Sequence, residues 1–569
     1  MNMNSKSTAN SKYVKALQIS VVSFVVVFIC FIPYLQAGIV YGSDQPYHLM
    51  RIYSLANSIQ NGIFPVKVHA LSCYGYGYAS GFFYSDALLY FPAILIISGC
   101  SLTTAYKIFA FLLLSLNYAA MLFSVKRITN KWSGAVFAAS LYISGTSVIQ
   151  SLYVDFAIGS ICGSIFMIIA IAGMYLFLAR DESPLTLILG FTGLFYTHTI
   201  SAILTFTVCV LILLFHINYI KCKPYKLIQL IFSVILVLTI SASYWLPMLE
   251  QMKAQRLKYL TPWTTESDNI SNLHAALFGT RGIGLFIFGA LVFCFFTSLF
   301  LISRSLQKKK SLTENLYCIS VFTFLGGIYC FLPMLATPWQ LLNSHGMTLI
   351  QFPYRLYFPA AILVAFAFGC AVSEIKLQPY NHKLMLVIYI CIMIINISYD
   401  YYLFRDNIAQ FASCTEDVEN GNVSGAGAGE EWLPLEVDLN TLKERSPLLA
   451  INNNGVPVTG QKLNGYTRYR FSADLSGDYY DVPYIWYKGY AAYSDDGTKY
   501  EVTYNAQTKL VRIIMPHDQY GIKTITVYYK GTKYQKMAYA ISIAGITILV
   551  LWFCFLRKRS FRMFINKKE

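Results

Sequence analysis

Charge is scarce in this chain: only 13% of its 569 residues are Asp, Glu, Lys or Arg, about half the share an ordinary soluble domain carries. Close-set metal or redox motifs are lacking too. The 13 cysteines include no CxxC and no Cys/His set at zinc-ligand spacing, which excludes a zinc ribbon or a redox dithiol, and their scatter through apolar runs excludes a disulfide framework. Cys73 and Cys414 fall in segments read below as external, with nothing in the residues to pair them. No A-x-A cleavage site follows the first apolar stretch. That stretch, preceded by Lys6, Lys12 and Lys15 and reaching Gln36, is read as an uncleaved span rather than a signal peptide.

What is present is apolar. Hydrophobic residues make up 56% of the chain, in repeated runs of about 18 or more, the signature of a polytopic α-helical membrane protein. The formal charge of +16 would suit nucleic acid if it were spread over a surface. Instead the lysines and arginines sit in short clusters between apolar runs, as cytoplasmic loops do, so the reading is membrane topology and no nucleic-acid partner.

The positive-inside bias threads the chain. Span 1 (14–36) delivers residues 37–102 outside as a first external loop. The apolar run 87–99 is short and holds Pro92; were it to cross, Lys126, Arg127 and Lys131 would lie outside. It is therefore read as an interfacial or re-entrant helix. Spans follow at 103–125, 133–149, 158–179, 185–197, 198–219, 227–247, 284–303, 314–333, 355–374, 383–399 and 536–556, with 185–197 short for a crossing. The basic loops hold Lys221, Lys223, Lys226, Arg304, Lys308, Lys309, Lys310, Lys376 and Lys383, and the tail is "RKRSFRMFINKKE". About twelve spans result, with both termini cytoplasmic. Residues 1–399 form the transmembrane domain, 400–534 an extracellular β-rich domain, and 535–569 the last helix and tail. In the β-rich part, "TKYEVTY", "KLVRIIM" and "KTITVYY" alternate between "DDGT" and "NAQT", which predicts antiparallel strands in a small sandwich or jelly roll. "GNVSGAGAGEEWLP" predicts loop.

The first external loop opens with "SDQPYHLMRIYSLANSIQNG". Asp44 or a neighbour can cap a helix there, Pro46 fits its first turn, and Asn61–Gly62 ends it. Leu49, Ile52, Tyr53, Ala56 and Ile59 form one stripe, with Asp44, His48, Arg51 and Ser58 opposite, so the helix is expected to lie along the outer membrane surface. Asp44 and His48 at i, i+4 lack a third metal ligand. Asp155 in "YVDFAIGS", His198 in "YTHT" and Arg355 in "LIQFPYRLYFP" fall at the same face. Each has a plain reading as helix cap, buried histidine or snorkelling arginine. Together they suggest a polar cleft for an anionic lipid headgroup, because ionisable groups at a membrane boundary are costly unless paired or functional.

The first span, the long loop with an early Asp on a helix, and the interfacial helix before span 2 resemble the GT-C glycosyltransferase superfamily. The segments "GSDQPYHLMRI", "YGYGYASGFFY", "THTISA", "QFPYRLYFPA", "GAGEEWLP" and "VPYIWYKGYAAY" resemble YfhO-type bacterial membrane proteins and the related "6-pyruvoyl-tetrahydropterin synthase-related" membrane family. No metal-ligand cluster supports the pterin-synthase part of that name. The resemblance implies transfer of a sugar from a polyprenyl-phosphate carrier to a cell-surface glycan or polymer such as teichoic acid, on the outer face. It makes Asp44 the general base, and Arg355, with Arg51 or His198, the clamp on the lipid phosphate. Where relatives carry Arg–Gly and Glu in the second external turn, this chain has "VDFAIGS", which weakens the carry-over to Asp155. No cofactor is expected, and a divalent metal is not favoured. The rivals are a lipid or glycan flippase or transporter, and a non-catalytic cell-envelope assembly protein whose β-domain binds glycan.

Overall fold

The computed structural model describes residues 3–261, 264–309, 313–345, 350–374, 379–409, 411–412, 414–516 and 520–565. Each of the twelve apolar segments expected to span forms a helix or a bent helix pair. Seven are long and apolar enough to cross a membrane, or up to nine if each bent pair is one span; the pairs are Trp132–Ile143 with Thr146–Tyr153 (41°) and Tyr225–Ile240 with Ala242–Ala254 (67°). The remaining three, Leu185–Phe195, Thr199–Phe215 and Ile390–Leu403, are shorter. The 11 residues of Leu185–Phe195 make about 16 Å of helix, half of a roughly 30 Å hydrocarbon core. The architecture is that of a multi-pass membrane protein.

Local sequence sets the helix ends. Ser101 caps Leu102–Thr129 by accepting the Thr104 N–H, and Asn130 closes that helix in the left-handed region with Lys126 and Arg127 in its last turn, where cations offset the helix dipole. Pro353–Glu374 and Ile158–Ala179 are 94% and 89% buried, against 17% for Lys533–Cys554, so the first two form the bundle centre and the last its rim. Gly134 lets two helices touch there: a Cβ on it would lie 2.2 Å from the Gly369 carbonyl oxygen.

The basic loops gather at one end of the bundle. Arg127 pairs with Glu182, Arg180 with Glu314, and Lys223 and Lys226 with Asp181, while Lys131 donates to the Ser373 carbonyl. Lys310, Lys376 and residues 566–569 lie outside the described residues. The opposite end carries the first loop and the β-rich domain. Tyr90–Ile97 has eight residues, about 12 Å of helix, too short to cross.

The β-rich domain corrects the sequence reading. Strands β1 (Ile39–Val40) and β2 (Phe411–Ala412) pair antiparallel beside the first span. Strands β3 (Leu449–Asn452), β4 (Pro457–Leu463), β5 (Arg468–Asp474), β6 (Tyr479–Ile485), β7 (Tyr490–Ser494), β8 (Lys499–Tyr504), β9 (Leu510–Ile514) and β10 (Ile522–Tyr529) form a closed barrel in the order β10-β5-β4-β3-β6-β9-β8-β7, not a sandwich or jelly roll. Closure turns on β10 pairing with both β5 and β7, a long-range fact that alternation along one strand does not contain. Tyr469, Phe471, Tyr480, Val482, Val511, Ile513, Ile525 and Val527 fill it.

The barrel docks on the first loop. The Ile485 N–H donates to the Tyr76 carbonyl at 3.0 Å, Asn57 Nδ2 donates to the Gly465 carbonyl at 2.6 Å, and Lys462 Nζ donates to the Gly75 and Pro483 carbonyls. Tyr47, Tyr76, Tyr78, Phe82 and Phe83 share one apolar cluster with Leu433, Val437, Ile485 and Tyr487. This overturns the surface-helix expectation. Gln45–Gln60 is buried on both stripes, with Leu49, Ile52 and Leu55 on one and His48, Arg51 and Ser58 on the other.

Candidate functional site

Asp44 stands at the N-terminal boundary of Gln45–Gln60, with Pro46 in the first turn, as expected, but its side chain makes no capping hydrogen bond. Its carboxylate accepts a hydrogen bond from no described residue and is half-buried. The backbone fixes its place. Ser43 N–H donates to the Val154 carbonyl at 3.2 Å and Asp44 N–H to the Asp155 carbonyl at 3.0 Å, with Ser43 Oγ adding a third bond to Asp155 O. A Cβ on Gly42 would lie 2.6 Å from Phe156 Cβ, so glycine is what lets the two loops come this close.

Asp155 is buried beneath Asp44. Gln150 Nε2 donates to its Oδ2 at 2.6 Å, and Arg281 Nη2 donates to its Oδ1 at 3.0 Å. Arg281, in the "GTRGIG" loop before Leu285–Gln307, lies with its guanidinium 5.4 Å over the Tyr354 ring. Arg355 sits beside that ring in sequence and is half-buried. Its Nη1 donates to the Ile350 carbonyl at 2.6 Å and its guanidinium lies 5.0 Å over Phe352. Among the described residues it has no carboxylate partner within ion-pair distance.

These groups act on Asp44 together. Burial pushes its carboxyl up to about 7, the neighbouring Asp155 and Glu431 carboxylates push the same way, and Arg355 and Arg281 hold it down. Desolvation and like charge both penalise the ionised form. A carboxyl poised near neutrality is matched to accepting a proton at physiological pH.

His48 and Arg51 face a second cluster that sequence reasoning missed. Arg51, 1% exposed, donates through Nε and Nη2 to Asp86 Oδ1 at 3.0 and 2.6 Å. Its Nη2 also donates to the Tyr84 and Ser85 carbonyls, and Nη1 meets His48 Nδ1 at 3.2 Å. His69 Nε2 lies 3.1 Å from Asp86 Oδ2. Burial would raise the Asp86 carboxyl, but Arg51 and His69 overcome it and hold it well below the usual carboxylate range. Burial and the Arg51 cation likewise hold the His48 imidazole well below its usual range, hence neutral near pH 7. His198 joins from the turn between the short helices: its Nδ1 meets Ser201 Oγ at 2.8 Å and its ring packs against Tyr84.

The structure thus brings Asp44, Asp155 and Arg355 together, adds Arg281 and Glu431, and sets His48 and Arg51 in a second cluster, with Arg51 engaged through all three guanidinium nitrogens. The signal for Arg281 was a glycine-flanked arginine at the mouth of a span. That for Glu431 was its place in "GAGEEWLP". Among the described residues no group of three or more His, Cys, Asp or Glu is placed to hold a metal ion.

Fold and site define a polytopic helical membrane protein with a closed β-barrel docked on its first loop and a carboxylate–arginine cluster at the start of that loop. No protein-family model matches the chain, and no curated protein matches it. Solved structures similar in outline include the following two. The arabinofuranosyltransferase AftD from Mycobacteria is 11% identical with a TM-score of 0.40, over 69% of this chain and 27% of that one. The archaeal oligosaccharyltransferase AglB from Archaeoglobus fulgidus, solved with an inhibitory peptide and a dolichol-phosphate, is 12% identical with a TM-score of 0.37, over 70% of this chain and 57% of that one. The chain spans about a quarter of the first and somewhat over half of the second.

Proposed function

We propose that the chain is a membrane glycosyltransferase that moves a sugar from a polyprenyl-phosphate carrier to a hydroxyl of a cell-surface glycan or polymer at the outer face. The observation that carries this reading is Asp44: a half-buried carboxyl uncommitted to any described hydrogen-bond donor, pushed up to about 7, in one cluster with Arg355. The gathering of the basic loops at the end away from the barrel supports an outward-facing barrel, by the positive-inside bias. The resemblance of its short motifs to YfhO-type proteins supports the same reading.

In this reading Asp44 takes the proton of the acceptor hydroxyl as its oxygen bonds to the anomeric carbon. The bond from that carbon to the carrier phosphate breaks, the electron pair leaves with the phosphate, and the configuration inverts. Arg355 offsets the charge that grows on the leaving phosphate, since a guanidinium can pair two phosphate oxygens at once. Arg281 holds Asp155, whose backbone carbonyl accepts the Asp44 N–H. Arg51 holds the loop rather than the donor, because its guanidinium nitrogens are engaged by Asp86, His48 and the Tyr84 and Ser85 carbonyls.

The test is transfer of labelled sugar from a panel of polyprenyl-phosphate sugars to cell-wall polymer in membranes containing the protein. Product is expected, with a rate that falls about tenfold per unit as pH drops below about 7 and Asp44 becomes protonated, and that levels off above. The second reading, a lipid or glycan flippase, is favoured by the two bent helix pairs, since transporters use broken helices. Carrier movement without sugar transfer, and without that pH limb, would establish it instead.

A further inference from the structure

Arg355 owes its place to a short segment whose geometry is unusual. Gln351 has φ +61°, in the left-handed region that a residue with a Cβ enters at a cost and keeps only where its surroundings over-determine it. The chain then folds tightly: Phe352 N–H donates to the Ile350 carbonyl at 2.7 Å and Arg355 N–H to the Phe352 carbonyl at 3.1 Å. The Ile350 carbonyl is also where Arg355 Nη1 is anchored, at 2.6 Å. Whatever holds residues 350–352 therefore aims the guanidinium.

That holder is Glu266, about 85 residues upstream on the short 3-10 turn Glu266–Asn269. It is 1% exposed. Its Oε1 accepts the backbone N–H groups of both Ile350 and Gln351 at 2.9 Å. With the Asn343 amide turned so that its oxygen meets donors, Nδ2 donates to Glu266 Oε2 at 2.7 Å and Oδ1 accepts the Ser267 N–H at 2.9 Å. The turn is itself fixed by a capping box between Thr265 and Asp268. A buried carboxylate that accepts several N–H groups is held strongly, and removing it strands those donors.

We propose that Glu266 is a positioning residue for the donor phosphate: by clamping the Ile350 and Gln351 amides it sets the rotamer in which the remaining guanidinium nitrogens of Arg355 face the phosphate. This rests on the role given to Arg355 above. Glu266 touches neither sugar nor phosphate, and its effect passes through the backbone. Loss of the clamp lets Gln351 relax out of the left-handed region and carries the Ile350 carbonyl, and with it Arg355, away from the cluster.

The experiment measures binding of a polyprenyl monophosphate to the detergent-purified full chain, beside hydrogen exchange of the Ile350 and Gln351 amides. Glu266→Ala is expected to weaken binding about tenfold and to deprotect both amides. Glu266→Gln, which keeps one oxygen for the two N–H groups, is expected to bind within about threefold of wild type. Arg355→Ala should weaken binding at least as much as Glu266→Ala, and the double variant should be no weaker than Arg355→Ala alone, since residues acting through one contact are non-additive. Should Glu266→Ala not fold, Glu266→Asp, one methylene too short to reach both amides, is expected to lose about threefold to tenfold. Additive losses, or deprotected amides with unchanged binding, overturn the positioning role and leave the transferase reading standing. Unchanged binding in Arg355→Ala overturns the phosphate role of Arg355, and the Glu266 inference with it.

Discussion

Replacing Asp44 by Asn is expected to lower sugar transfer by about 10²–10⁴-fold, the usual contribution of a positioned base, while making the protein more stable. The two effects share a cause. Asp44 titrates near 3.8 in an unfolded chain and about 7 in the folded one. As pH rises between those values the unfolded chain releases the proton while the folded chain keeps it, so the wild type loses stability across that window and regains none above it. Asn has no charge to desolvate and does not share the loss. The melting temperature of Asp44→Asn is expected to exceed that of the wild type by a few degrees at pH 8 and to converge with it towards pH 4. Thermal unfolding followed in detergent at the two pH values, beside the transfer assay, checks both halves. Full transfer by a well-expressed Asn variant would remove Asp44 from the chemistry.

The second large effect falls on the fold. Asp86→Ala leaves the Arg51 guanidinium, 1% exposed, without its carboxylate. Breaking one side of a buried pair costs about 3–5 kcal/mol, because the remaining charge is stranded away from water. A loss of that size is expected to appear as a strongly reduced yield of folded protein and a melting temperature lower by roughly three to four degrees. Replacing both partners, as Arg51→Leu with Asp86→Leu, removes the stranded charge and should recover part of the loss. The Tyr84 and Ser85 carbonyls, which Arg51 also satisfies, keep the recovery incomplete. If Asp86→Ala melts like the wild type, the cluster does not brace the loop.

The contrast between Asp44 and Asp86 shows what could be read from the sequence. Apolar runs placed every helix of the bundle, because hydrophobic length is a local property. The start and end of Gln45–Gln60 followed from Pro46, Asn61 and Gly62, and Asp44 stood out as a carboxylate just past a span. Arg51 reads in the sequence as a cation facing a ligand, yet its partner lies 35 residues on, just past the "YGYGYASGFFY" segment. The apolar stripe of Leu49, Ile52 and Ala56 was equally ambiguous. A helix buried under a second domain and one lying on a lipid surface share the same stripe, and only burial of the polar side separates them. Glu266, Arg281 and barrel closure depend on contacts between distant segments, which leave no periodicity to find.

The docking of the barrel on the first loop has a consequence for the timing of synthesis. Ile485 bonds to Tyr76, and Trp432 stacks on Phe83, across some 350 to 400 residues. At roughly 5–20 residues per second, the ribosome needs about 20–70 s to pass from Asp86 to Glu431. Over that interval the loop bearing Asp44 has left the ribosome without the segments that cover it. The Tyr76 carbonyl and the Phe83 ring are then without their partners Ile485 and Trp432. The first-made loop is thus covered by a late-made domain, and a chain that stops short of the barrel leaves the Tyr76 and Phe82 face of that loop bare.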